Sequence, residues 1–268
     1  MRKKTKERIK EKIEFSIRNY FKDRKVKSYQ VLDEIFPKER RVRSLIGGLE
    51  TSLGTTLWEP LAKELAKSNG FEVLDEKSFP APKDESFYPK DILNIKLKWE
   101  QKRQIKNKYI SLNDYIEELR DISKLNKKKY QSIEKGPMTS GRGVDVYLKK
   151  DGKEYAFDIK TVQINKGGGN NYNQTLMWWY AARILYQHNI KFKAAIVFPY
   201  NPYKTKTWWQ ANGGRAYPLK EKKDAFVEDE FWDFISGQKG TFQQIKLLFQ
   251  ELGKSNFANQ FKDIFYPS

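Results

Sequence analysis

The sequence predicts an α/β fold built on a mixed sheet, and three observations predict it. Residues 143–164 switch from helical to two-residue periodicity: Val144, Val146 and Leu148 alternate with Asp145, Tyr147 and Lys149, then Tyr155, Phe157 and Ile159 alternate on a return strand. Between the two runs stands Asp151-Gly152, a pair that tolerates the positive φ angles of a tight hairpin turn. A nearly all-apolar helix over 173–188 (Leu176-Met177-Trp178-Trp179-Tyr180-Ala181-Ala182) then leads to a buried strand over 193–198, ended by Pro199. Strand, strand, helix, strand in that order makes a central mixed β-sheet flanked by helices.

The other elements follow in chain order. Residues 1–38 form a basic helical N-terminal extension, in which Ile9, Ile13, Ile17 and Tyr20/Phe21 recur at helical spacing. One face docks on the body, and the lysines and arginines of the other face either stay solvated or touch DNA phosphates. Residues 39–69 are helical, with Leu45, Ile46, Leu49 and Leu53 as a stripe that Gly54-Thr55-Thr56 interrupts. Thr55 or Thr56 then caps a second helix with Pro60 in its first turns and Leu57, Leu61 and Leu65 as its stripe. Asn69-Gly70 ends that helix, and 71–74 form a short strand. Residues 76–135 are a helical insertion on the side of the core, with helices expected over 92–108 and 111–125. Gly167-Gly168-Gly169-Asn170-Asn171 reads as a flexible loop. After a loop rich in Trp, Asn and Lys, the block 225–265 holds C-terminal helices, three short ones over 228–264. The whole of 1–268 reads as one domain with its core at 143–198.

Composition narrows the function. Lys plus Arg number 52 against 34 Asp plus Glu, a formal charge of +18. Such an excess concerns partners rather than fold. Nucleic acid is the common polyanion that lysine and arginine serve, and general lysine enrichment is the alternative. The absence of cysteine excludes disulfides, thiolate catalysis and cysteine zinc sites. The single histidine, His188, excludes a multi-histidine metal site and suits the polar end of the apolar helix. No apolar core follows the basic N-terminus as in a signal peptide, and no apolar run approaches the roughly 20 residues of a membrane span. A cytoplasmic protein without membrane contact is expected.

The hairpin carries the chemistry. Asp158 and Lys160, two apart on one strand, share a face while Ile159 points into the core. The turn folds Asp145 back towards Asp158. Two carboxylates suit Mg²⁺, which takes one or two of them with waters and phosphate oxygens, and the Ile159 backbone carbonyl can add a ligand. Lys160 can orient water or stabilise charge on a phosphorane. The spacing alone would equally make a surface ion pair.

The full pattern, Gly143-Val144-Asp145-Val146 followed by Ala156-Phe157-Asp158-Ile159-Lys160-Thr161, resembles the PD-(D/E)XK nuclease motif, with Val144 where the motif often has proline. Together with the stretch from Gly48-Leu49-Glu50 to Leu57-Trp58-Glu59, with 173–183, and with Glu230-Phe231-Trp232-Asp233-Phe234-Ile235, the chain resembles type II restriction endonucleases, within them the group cutting interrupted GG/CC palindromes such as GGNCC. The resemblance implies a restriction-endonuclease-like core, Mg²⁺ with Mn²⁺ able to substitute, a homodimer, double-stranded DNA as substrate and a bacterial or archaeal source. It also implies a glutamate before the hairpin that faces the metal. Glu59 is the first candidate and Glu50 the second.

DNA contacts are expected in two segments. Gln163, Asn165, Lys166, Asn170, Asn171, Asn173 and Gln174 follow the catalytic strand, where glycines 167–169 would let the backbone approach a groove. Lys204, Lys206, Trp208, Trp209, Gln210, Asn212 and Arg215 interleave basic residues with tryptophan, which either stack on bases or pack internally. Arg142, between Gly141 and Gly143, can hold a phosphate. Competing readings are a repair or junction-resolving nuclease on the same core and a non-catalytic DNA- or RNA-binding protein.

Overall fold

The computed structural model describes residues 1–22, 24, 30–105, 108–138, 141–160 and 162–267. Part of the basic stretch 1–27, the end of the helix expected over 92–108, and Thr161 lie outside them. The helices are α1 (Lys3–Phe21), α2 (Pro37–Leu53), α3 (Glu59–Ser68), α4 (Lys90–Arg103), α5 (Leu112–Leu125), α6 (Lys127–Gln131), α7 (Gly168–Tyr186), α8 (Trp208–Ala216), α9 (Asp229–Ser236), α10 (Thr241–Lys254) and α11 (Lys262–Phe265). The strands are β1 (Glu72–Leu74), β2 (Ala81–Pro82), β3 (Lys135–Gly136), β4 (Val146–Lys150), β5 (Lys153–Ile159), β6 (Lys191–Phe198) and β7 (Ala225–Val227).

Five strands form one sheet in the order β1-β4-β5-β6-β7. The β1–β4 and β4–β5 pairs are antiparallel, and β5–β6 and β6–β7 are parallel. The expected mixed sheet is therefore present, with α7 as the crossover that parallel strands require. Strand alternation sends side chains to two cores. Tyr147, Ala156, Ala194, Ile196 and Phe198 face α7, which is covered in turn by α4, α5 and α8. Val146, Leu148, Phe157, Ile159, Ala195 and Val197 face the other layer, built from α1, α3, α9 and α10. Buried on both sides, the second half of β6, Ala194 to Phe198, is a continuous apolar run.

Three local expectations are corrected. The chain does not break at Gly54-Thr55-Thr56. Residues 54–58 form a π-helical turn that joins α2 to α3, with the Glu59 N–H donating to the Gly54 carbonyl. The Thr55 and Thr56 hydroxyls donate back to the Ser52 carbonyl instead of capping a new helix. Leu57 and Trp58 are buried, so packing carries the helix through a sequence of weak local propensity.

Second, Gly167-Gly168-Gly169-Asn170-Asn171 is not a loop beyond its first residue, because α7 starts at Gly168. Gly167 has φ 86°, which glycine adopts without a Cβ penalty. A Cβ on Gly169 would lie 2.2 Å from the Tyr217 carbonyl oxygen and 2.4 Å from the Ala216 carbonyl carbon. That glycine serves a close backbone crossing with the end of α8, not an approach to DNA.

Third, the segment read as a Trp- and Asn-rich loop contains α8, and the short strand β7 follows it. Thr207 and Gln210 make a reciprocal capping box at the start of α8. His188 falls in the turn after α7.

Candidate active site

The hairpin is built as its sequence suggested. Asp151 (φ 50°) and Gly152 (φ 71°) make the turn, and pairing runs from Lys150 with Lys153 to Val146 with Phe157. One step further in this register, Asp145 stands opposite Asp158. The Asp145 N–H donates to the Phe157 carbonyl at 3.0 Å, and its Oδ2 accepts from the Ile159 N–H at 2.8 Å. This second bond ties a side chain before β4 to the backbone at the end of β5. The Lys160 N–H donates to the Val197 carbonyl at 2.9 Å, which extends the parallel ladder one residue past β5.

Asp158 is 3% exposed, and the ammonium of half-buried Lys160 lies 2.6 Å from its Oδ1. That oxygen is buried without a well-formed hydrogen bond, so the ion pair is close but poorly directed. Burial, with the Asp145 carboxyl alongside, pushes Asp158 up to about 8 against the pull of Lys160. Burial opposes the charge on Lys160, but the Asp158 carboxylate, with Asp145 behind it, holds the ammonium above its ordinary range.

Glu59 opens α3 and is half-buried. Burial and the charge of Asp145 raise its carboxyl to about 7, opposed by Lys63 and Lys160. Its charge is thus felt at the hairpin. Glu50 is exposed on α2 and its charge is felt by Tyr200. Of the two glutamates, Glu59 is the one placed beside the aspartates. It does not complete a three-carboxylate cluster with them: among the described residues no group of three or more His, Cys, Asp or Glu stands close enough to hold a metal.

The donor set passes a chemical test for a hard cation. It consists of oxygen atoms only, two carboxyls opposed across a strand pair, one of them with an unsatisfied buried oxygen. Mg²⁺ needs no more protein ligands than that, because water and phosphate oxygens fill the rest. Burial first, and the neighbouring Asp145 carboxyl second, disfavour the charged form of Asp158.

The expected DNA-contact residues divide. Gln163, Asn165 and Lys166 are exposed between β5 and α7, and Asn171 is exposed on the first turn of α7, beside half-buried Asn170. Lys204 and Lys206 are exposed between β6 and α8, and Arg215 is exposed near the end of α8. The loops after β5 and β6 emerge at the same sheet end as Lys160, the carboxyl ends of two parallel strands, where α/β sheets bind ligands. Arg142 lies near the same end, over the Trp178 ring at 5.0 Å and ion-paired with Glu85.

Asn173 is a correction. It is 1% exposed, accepting from Arg103 Nε at 2.8 Å, and is interior structure rather than a reading residue. Trp208 is also internal. It stacks on Phe198 at 4.0 Å and donates to the Val162 carbonyl at 2.7 Å, which pins the two loops together. Asn212 is buried as well. Sequence reasoning passed over Tyr172, half-buried on the first turn of α7. Burial raises its hydroxyl, and Lys160 and Asp158 act on it electrostatically. Its place between two asparagines offered no signal.

A family model described as HinfI, type II restriction endonuclease, matches residues 1–253. The chain is also similar to the type II restriction enzyme MjaII of Methanocaldococcus jannaschii, 25% identical over 228 residues that cover 80% of this chain and 55% of that protein. The chain thus spans about half the length of the curated relative it matches. No solved structure matches.

Proposed function

The chain belongs to the HinfI family of type II restriction endonucleases, and on that premise we propose that it hydrolyses phosphodiester bonds of double-stranded DNA at a short palindromic site. The observation that carries this is the opposed pair Asp145 and Asp158 with the Lys160 ammonium at their side, on a PD-(D/E)XK-like hairpin. The resemblance within the family makes GGNCC-like interrupted palindromes the first sites to test.

Asp145, Asp158 and the Ile159 carbonyl would hold Mg²⁺, or Mn²⁺ in its place, with Glu59 as an outlying fourth group. When bound, the cation supplies charge to the scissile phosphate and a more acidic water. The chain's own part is positional. The Ile159 N–H fixes the Asp145 carboxylate, and burial keeps Asp158 on one heading. Lys160 stands where it can orient a water or meet charge developing on phosphate oxygens. Gln163, Asn165, Lys166, Asn170, Asn171, Lys204, Lys206, Arg215 and Arg142 ring this sheet end as the DNA contacts. A palindrome read by two copies accounts for both strands being cut.

The test is a digest of mixed plasmid DNA with Mg²⁺, with and without EDTA, for the parent chain and Asp158→Ala. Discrete fragments are expected with Mg²⁺ only, and none from the variant, which still binds DNA. A smear or structure-dependent nicking would point to a repair or junction nuclease. Binding without cutting in Mg²⁺ and in Mn²⁺ would make the protein a non-catalytic binder.

A further inference from the structure

One flank of α2 is fastened to the body. Leu45 and Leu53 are buried, the Tyr20 hydroxyl donates to the Leu45 carbonyl at 3.1 Å, and Arg41 Nε donates to the Ile264 carbonyl at 2.8 Å. Among the described residues, no hydrogen bond or ion pair involves the Arg43 or Ile46 side chain on the opposite flank. Glu39, Arg43, Ile46, Gly47 and Glu50 are all exposed there, and a Cβ on Gly47 would meet nothing within 4 Å. Among the described residues neither Arg43 nor Glu50 forms a salt bridge, and Ile46 stands exposed between them on that face.

The order of these residues is self-complementary. Positions 39, 43, 46 and 50 follow the alternating four-and-three spacing of a helix seam. A second copy of α2 laid antiparallel, with a two-fold axis between Ile46 and Gly47, sets Ile46 on Gly47 of that copy. The same axis sets Arg43 against Glu50 of that copy, and does so twice because the contact is isologous. Missing the Cβ at Gly47, the two backbones can approach closely. A parallel pairing would instead oppose Arg43 to Arg43 and Glu50 to Glu50. More exposed apolar surface lies at the entry of α2: Val31 is 78% exposed, Leu32 50%, Ile35 66% and Phe36 50%. A stable interface buries about 1,200 Å² or more in total, beyond what a single helix pair supplies, so surface flanking α2 has to take part.

We propose that the outward face of α2 is the surface on which two copies of this chain pair, about a two-fold axis between Ile46 and Gly47. The inference deepens the reading of a two-fold enzyme on a palindrome and rests on it for the choice of partner.

Sedimentation of the full chain at micromolar concentration tests this, with Arg43→Glu, Glu50→Arg and the double exchange. Both side chains are exposed, and circular dichroism should be unchanged in all three. The parent chain should dimerise. Each single exchange should weaken dimerisation by about tenfold or more, since it creates two like-charge contacts, and the double exchange should restore it. A parent chain that stays monomeric, single variants that dimerise like the parent, or a double exchange that fails to restore pairing would overturn the proposal. A plasmid digest on the same samples separates the two readings: a monomer that still cuts DNA sinks the interface alone, and a swap-obeying dimer that never cuts sinks the nuclease alone.

Discussion

Residues 145, 158 and 160 show how little distance a side chain needs to cover when the backbone has already placed it. Asp145 accepts from a backbone N–H that sets its heading, while Asp158 has a lysine at 2.6 Å in a contact that is close but poorly directed. Elsewhere single residues carry structure. A methyl group at Gly169 would strike the carbonyls of Ala216 and Tyr217, main-chain atoms that cannot swing aside. Gly169→Ala should therefore lower stability by about 1–3 kcal/mol, read as a shift in urea midpoint, and should loosen the contact between α7 and α8. Glu154 gives a pH-dependent counterpart. Burial works against its charge, but hydrogen bonds from Arg183 (2.7 and 2.9 Å) and Tyr147 outweigh burial and hold it below the usual glutamate range. A carboxyl depressed on folding adds stability that is whole above its unfolded value of 4.5 and fades as pH falls through the folded one. Thermal melts should find Glu154→Gln less stable than the parent at pH 7, with the gap closing below pH 4.5.

At the scale of elements, one buried guanidinium ties three of them. Arg103 at the end of α4 is 0% exposed and reaches Asn173 in α7 and, at 2.6 Å, Asp224 just before β7. Arg103→Met would strand Asp224, itself 4% exposed, and should cost about 3–5 kcal/mol in chemical unfolding, because a buried charge without its partner is the expensive case. This network explains part of what the sequence hid. Asn173 lies in a run of amides after the catalytic strand and reads as a DNA contact, yet its role depends on an arginine 70 residues away. The hairpin was legible because it is local: alternation, a two-residue turn and a register that follows from both. The apolar helix and β6 were legible for the same reason. α8 was written in Thr207 and Gln210, a capping box obscured by the surrounding polar residues. The π turn was not legible, since Gly54-Thr55-Thr56 has breaker composition and only the burial of Leu57 and Trp58 carries the helix through. Glu59 was already the first of the two candidates in the sequence, and tertiary structure adds that Asp145 acts on its charge while Glu50 stays exposed on α2.

The whole molecule carries a formal charge of +18, and the proposed DNA face uses a fraction of it. Affinity for non-specific duplex should fall steeply with salt, with log K against log[salt] sloping at about −0.9 per phosphate neutralised. Replacing Lys204 and Lys206 with Gln should make the slope shallower by about 2, measured by fluorescence anisotropy on a short duplex. A slope unchanged by both replacements would place those lysines off the DNA. The π turn at 54–58 acts as an angular offset in an otherwise continuous rod. Each helical residue advances the face by about 100°, so one residue absorbed in the turn rotates everything downstream by that angle. The offset sets the bearing between the outward side of α2 and the inward side of α3. Deleting Thr55 from that turn would leave Asp145, Asp158, Lys160 and Glu59 in the chain and still turn Glu59 to a different bearing.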